Sequence, residues 1–124
     1  MNEIPLTHAL VADDEPHIGR IIKMKLEQGP FRVTLVYDGR EALEVLRRED
    51  DIRLVLLDLM MPHMNGWEFR RKQLQDPAIA SIPVVLLTGA GNAVKAIDDL
   101  HVAATIEKPV ELDTLLAEVA HYCT

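Results

Sequence analysis

The sequence is short of cysteine, of basic charge and of long apolar runs, and each shortage removes a class of protein. Cys123, beside the end, is the single cysteine in 124 residues, which excludes an internal disulfide and a thiolate metal cluster. No apolar run approaches the roughly 20 residues needed to cross a bilayer. The opening Met1-Asn2-Glu3-Ile4-Pro5 lacks the basic-then-apolar order of a secretion signal, so the expectation is a soluble cytoplasmic protein without membrane contact. Lys and Arg number 13 against 20 Asp and Glu, a formal charge of −7, and such a field repels a phosphate backbone, so direct nucleic-acid binding is not expected. Repeats, low-complexity tracts and long linkers are also missing. Residues 1–124 therefore read as one domain, with 48% hydrophobic residues to fill its core.

What is present is an alternation. Thr7 to Ala12 reads as a buried strand that runs into Asp13-Asp14-Glu15-Pro16. Pro16 suits a first helical turn, and Ile18, Ile21, Ile22 and Leu26 recur at helical spacing until Gly29-Pro30 stops them. Phe31 to Val36 is a second strand, Asp38-Gly39 a turn, and Ala42, Leu43 and Leu46 mark a second helix. Leu54 to Leu57 is unbroken apolar sequence, the mark of a strand covered on both faces, and it ends on Asp58. Pro62 and Gly66 bracket a loop, then a helix of poor periodicity runs from about Trp67 to Gln75, with Arg70, Arg71 and Lys72 read as a solvated face. Pro83 to Leu87 is a fourth strand ending at Thr88-Gly89-Ala90-Gly91, and Ala93, Ile97 and Leu100 share one side of a short fourth helix. Ala103 to Ile106 is a weaker fifth strand that ends at Glu107-Lys108-Pro109. Leu112, Leu115, Leu116, Val119 and Ala120 form the clearest amphipathic stripe and close the chain with a fifth helix. Five strands alternating with five helices imply parallel pairing through right-handed crossovers, hence a flavodoxin-like, doubly wound α/β sheet.

In such sheets ligands bind beyond the carboxyl ends of the strands. Just past those ends stand Asp13 and Asp14, Asp58, Thr88 and Lys108. Any one of them has a plainer role: Asp14 as a helix cap, Asp58 as a turn residue, Thr88 as a cap, Lys108 as a surface lysine. Their convergence on one edge favours chemistry. Crowded carboxylates resist ionising together and so suggest a bound cation, and oxygen ligands without thiolate favour a hard ion, Mg²⁺ above others. A carboxylate nucleophile, a metal, a lysine and a hydroxyl are the parts that move a phosphoryl group onto Asp58. His8, His17, His63, His101 and His121 follow no metal spacing and are read as structural or exposed, with His63 alone near the pocket.

These residues, Asp13-Asp14, Asp58 to Pro62 with Met64-Asn65-Gly66, Thr88 and Lys108-Pro109, span almost the whole chain in order. In that set the chain resembles a response-regulator receiver domain of the chemotaxis type. The resemblance implies strand order 2-1-3-4-5, Asp58 as phosphoacceptor, and Mg²⁺ on Asp13, Asp14, Asp58 and the Met60 carbonyl. It implies phosphoryl contacts from Thr88 and Lys108, a usually cis Lys108-Pro109 bond, and a phosphohistidine donor on a histidine kinase or histidine phosphotransfer protein. Two positions depart from the family pattern: Thr105 replaces the aromatic usual three residues before the lysine, and Gly89 replaces a common Ala. The expected output is a switched partner surface on the fourth helix, fifth strand and fifth helix, resting on Thr88 and the loop after it.

Such a protein catalyses only its own phosphorylation and slow dephosphorylation. No output domain fits after Thr124, which leaves a free-standing regulator or relay, or a piece of a longer protein. The enzymatic alternative, an aspartyl-phosphate phosphohydrolase, normally carries an acid/base carboxylate two residues after the nucleophile, where this chain has Met60. A flavodoxin needs a Ser/Thr/Gly phosphate loop after the first strand, where this chain has acids that repel phosphate.

Overall fold

Leu54, Val55, Leu56 and Leu57 are all completely buried, yet alternate residues enter two separate cores: Leu54 and Leu56 one, Val55 and Leu57 the other. Side chains on a strand point alternately to opposite faces, so both faces of this strand are covered. The computed structural model describes residues 6–89 and 100–122. In chain order it shows β1 (Thr7–Ala12), α1 (Pro16–Glu27), β2 (Phe31–Val36), α2 (Gly39–Arg48), β3 (Ile52–Asp58), α3 (Gly66–Leu74), β4 (Val84–Thr88), β5 (Ala104–Glu107) and α4 (Leu112–Tyr122). The sheet has five parallel strands in the order β2-β1-β3-β4-β5, the doubly wound topology expected. The helix expected around Ala93 and Ile97 lies outside the described residues, apart from the helical Leu100, so α4 is the helix expected as the fifth.

One core joins β1, β3 and β4 to α2 and α3 through Ala42, Leu46 and Phe69. The other joins the opposite face to α1 and α4 through Ile22, Leu26, Leu115 and Val119. The helices α2 and α3 begin where the chain supplies caps. Asp38 accepts the Glu41 N–H at 2.8 Å and Asn65 accepts the Glu68 N–H at 2.9 Å, each occupying an amide the helix leaves unpaired.

The loop after β3 is held tightly. His63 takes a φ of 64° at the centre of a three-residue turn in which the Met64 N–H donates to the Pro62 carbonyl at 2.6 Å. The Met64 carbonyl then accepts the Gly39 N–H at 2.8 Å, and the Gly66 N–H donates to the Leu59 carbonyl at 2.9 Å. At Gly66 a methyl group would stand 2.7 Å from the Asp58 carbonyl oxygen, so only glycine lets α3 begin this close to β3.

One element differs from expectation. Arg71 and Lys72 are exposed as expected, but Arg70 is buried, at 5% exposure. Its guanidinium donates to the Leu100 carbonyl (2.9 Å), the His101 carbonyl (2.9 Å) and Gln73 Oε1 (2.7 Å), which is why the position tolerates burial. At the other end of the sheet, buried His8 presents Nδ1 to Asp51 Oδ1 at 2.8 Å and Nε2 to Thr34 Oγ1 at 2.7 Å, a structural role that ties together the starts of three strands. His17, His63, His101 and His121 are exposed.

Candidate functional site

Each predicted residue stands where a strand stops. After β1, Asp13 is fully buried; its N–H donates to the Val36 carbonyl at 3.1 Å and its Oδ1 accepts the Glu15 N–H at 2.9 Å, which turns the chain into α1. Asp14, next to it, is exposed. Asp58, the last residue of β3, is 4% exposed; its Oδ1 accepts the Met60 N–H at 3.2 Å and its Oδ2 receives Lys108 Nζ at 3.1 Å. Thr88 ends β4, buried, with its hydroxyl donating to the Gly89 carbonyl at 3.2 Å. Lys108 follows β5, its N–H donating to the Thr88 carbonyl at 2.8 Å, and the Lys108–Pro109 peptide is cis.

The Lys108 ammonium reaches further than Asp58. It lies 3.4 Å from Asp13 Oδ2, an ion-pair separation, and 4.0 Å from Glu15 Oε1. Glu15 is a member of this cluster that sequence reasoning left out; the run of acids directly after β1 was the signal for it. Asp13 Oδ2 is buried and accepts no hydrogen bond, an arrangement that ordinarily leaves a charge destabilised. Burial pushes the Asp58 carboxyl up to about 6; Lys108 opposes that shift, Asp13 adds to it, and the Met60 amide opposes it. Burial pulls Lys108 down, but the charges of Asp58 and Asp13 outweigh it and hold the ammonium above its ordinary value.

A single ammonium does not balance so many carboxylates. Asp13, Asp14 and Asp58 each offer an oxygen, and these oxygens lie within 4.8 Å of one another. Asp13 Oδ2, buried without a hydrogen-bond donor although Lys108 Nζ stands 3.4 Å away, and the all-oxygen donor set fit a divalent cation with a preference for hard ligands.

Carboxylates and one lysine gathered at the carboxyl edge of a 2-1-3-4-5 parallel sheet define a doubly wound α/β domain with an acidic site. The comparisons agree: the model of the response regulator receiver domain family matches residues 9–120, and the chain belongs to that family. It is 32% identical over 114 residues to the uncharacterized transcriptional regulatory protein YkoG of Bacillus subtilis, covering 90% of this chain and 49% of that protein. It is also 32% identical over 117 residues to the response regulator ArlR of Staphylococcus saprophyticus, covering 92% of this chain and 51% of that one. The chain thus spans about half the length of these curated relatives. Among solved structures, the Francisella response regulator 1452 receiver domain superposes with a TM-score of 0.84 at 26% identity, covering 94% of this chain and 95% of that one. The signal receiver domain of a histidine kinase from Syntrophus aciditrophicus does so with 0.84 at 27%, covering 94% and 89%. Among the described residues no helix is long and apolar enough to cross a membrane.

Proposed function

We propose that this receiver domain, residues 1–124, accepts a phosphoryl group on Asp58 from a phosphohistidine of a histidine kinase or phosphotransfer protein. An Asp58 carboxylate oxygen attacks phosphorus, the P–O bond forms as the P–N bond to the donor imidazole breaks, and the imidazole leaves with a proton from solvent. Lys108 follows the phosphoryl oxygens as charge moves onto Asp58, and Thr88 turns its hydroxyl from the Gly89 carbonyl to donate to the same group. A Mg²⁺ ion would be held by Asp13, Asp14, Asp58 and the Met60 carbonyl. When bound it neutralises the carboxylate repulsion and screens the incoming phosphoryl oxygens. Glu15, with Oε1 4.0 Å from Lys108 Nζ, adds to the negative charge that holds the ammonium.

The observation that carries this reading is Lys108 Nζ lying between two buried carboxylates that end two different strands, 3.1 Å from Asp58 and 3.4 Å from Asp13. The setting is cytoplasmic signalling, without direct nucleic-acid or membrane binding by this domain. The chain turns over no other substrate, since Met60 offers no acid or base where a phosphohydrolase needs one.

Acetyl phosphate with Mg²⁺ should add one phosphoryl group per chain, seen by intact mass, and Asp58→Asn should add none. Labelling of the Asn variant at the native level would overturn the assignment.

A further inference from the structure

The pocket is assembled from two bodies. Asp13 follows β1 and Asp58 ends β3 in the middle of the sheet, whereas Lys108 follows β5. That strand has four residues, pairs only with β4, and keeps Ala104 and Thr105 half-exposed. Lys108 is therefore carried by the shortest strand of the five. From β4 the Val84 carbonyl accepts the Ala103 N–H at 2.9 Å, and one side chain of the covering helices secures the same entry from outside the sheet.

That side chain is Arg70. It lies one turn into α3, whose first residue, Gly66, abuts the Asp58 and Leu59 backbone with no room for a methyl group. From that anchored helix the guanidinium donates to the carbonyls of Leu100 and His101, four and three residues before β5 begins. Leu100 is helical and His101 has a φ of 50°, the left-handed conformation that ends helices. Gln73 completes the strut: its Oε1 accepts from Arg70 at 2.7 Å, and its Nε2 donates to the carbonyls of Ile79 (2.9 Å) and Ile82 (3.0 Å), on the approach to β4. One buried pair thus pins the entries of β4 and β5 to the helix that follows Asp58.

We propose that Arg70 is a positioning residue for phosphoryl uptake: through Leu100 and His101 it sets the placement of β5 and so brings Lys108 to Asp58. This rests on Asp58 being the phosphoacceptor. The metal carboxylates stand on β1 and β3 and do not depend on the strut, which separates a positioning role from general damage.

The test uses the whole chain with Arg70→Met, which fills the space without donating. Hydrogen exchange should become at least tenfold faster at the amides of residues 104–108 and stay native in β1 and β3. The rate of labelling at saturating acetyl phosphate and Mg²⁺ should fall about tenfold, towards that of Lys108→Ala, while the Mg²⁺ affinity measured by calorimetry does not fall. Arg70→Lys, which reaches one carbonyl in place of two, should lie between; if Arg70→Met does not fold, it carries both measurements. Native exchange in β5, a native labelling rate, or Mg²⁺ affinity lost in step with labelling would each overturn the proposal. If the native chain takes no phosphoryl group, the functional reading falls, and exchange in β5 decides the strut alone.

Discussion

Asp58 is held in a setting that opposes its charge, and this gives stability a pH dependence of known sign. Its pKa is raised from 3.8 to about 6 in the fold, so the folded state binds the proton more tightly than the unfolded chain does. The contribution is complete below pH 3.8 and is lost as pH rises through about 6. Without metal, the native protein should lose on the order of 2 kcal/mol from this group across that interval, at about 1.4 kcal/mol per unit. Asp58→Asn should lack this loss and be the more stable protein at pH 7.5. Urea unfolding of both proteins at pH 5 and 7.5 in chelator checks it; parallel pH responses would contradict it. Crowding also makes the site a cation receptor. Mg²⁺ at ten times its dissociation constant should stabilise the native chain by about 1.4 kcal/mol, and Asp14→Asn or Asp13→Asn should blunt that gain in calorimetric melts. An equal gain in native and variant proteins would remove these residues from the site.

At the scale of elements, legibility followed hydrophobic contrast. The strands β1 and β2 stand where the apolar runs put them, and β3 and β4 differ by a residue or two at their ends, because a fully covered parallel strand must be apolar throughout. The helix α3 was harder to read. Its buried face is Gly66, Phe69, Arg70 and Gln73, at helical spacing throughout, but two of the four are polar and one has no side chain. Periodicity of hydrophobicity cannot see such a face, so Arg70 looked solvated. The close approach at its start was likewise invisible, since a glycine after Pro62 and Asn65 reads as loop punctuation. It has a direct consequence. Gly66→Ala places a methyl 2.7 Å from the Asp58 carbonyl oxygen and 2.8 Å from the Leu59 Cα, backbone atoms that cannot swing aside. It should destabilise the fold by about 1–3 kcal/mol and slow labelling of Asp58. Gly89→Ala, where none of the described residues lies within 4 Å of the added methyl, should do neither. Thermal melts and labelling rates of the two variants make the comparison.

At the scale of the molecule, the site residues were legible as a set and not singly. Asp13, Asp58, Thr88 and Lys108 each stand past a strand end, and the 2-1-3-4-5 order brings the ends of β1 and β3 side by side with the others following. Glu15 escaped because its reach towards Lys108 is a property of the folded turn. Thr105, paired with Leu86 and half-buried, has no ring to swing, so the proposed output route is Thr88 and the ends of β5. With Mg²⁺ and beryllofluoride, a phosphoryl mimic, exchange should slow in residues 100–108 and at the start of α4, with α1 unchanged; partner affinity should shift by roughly 5–150-fold. Protection confined to α1 would place the output on the opposite face. All of this stands on one covalent event, and reducing the phosphorylated protein with borohydride tests it most directly, because an aspartyl phosphate is converted to homoserine at the residue that carried it. Peptide mapping should find homoserine at position 58 and nowhere else; homoserine at 13 or 14, or at none of the aspartates of a fully labelled chain, would contradict it.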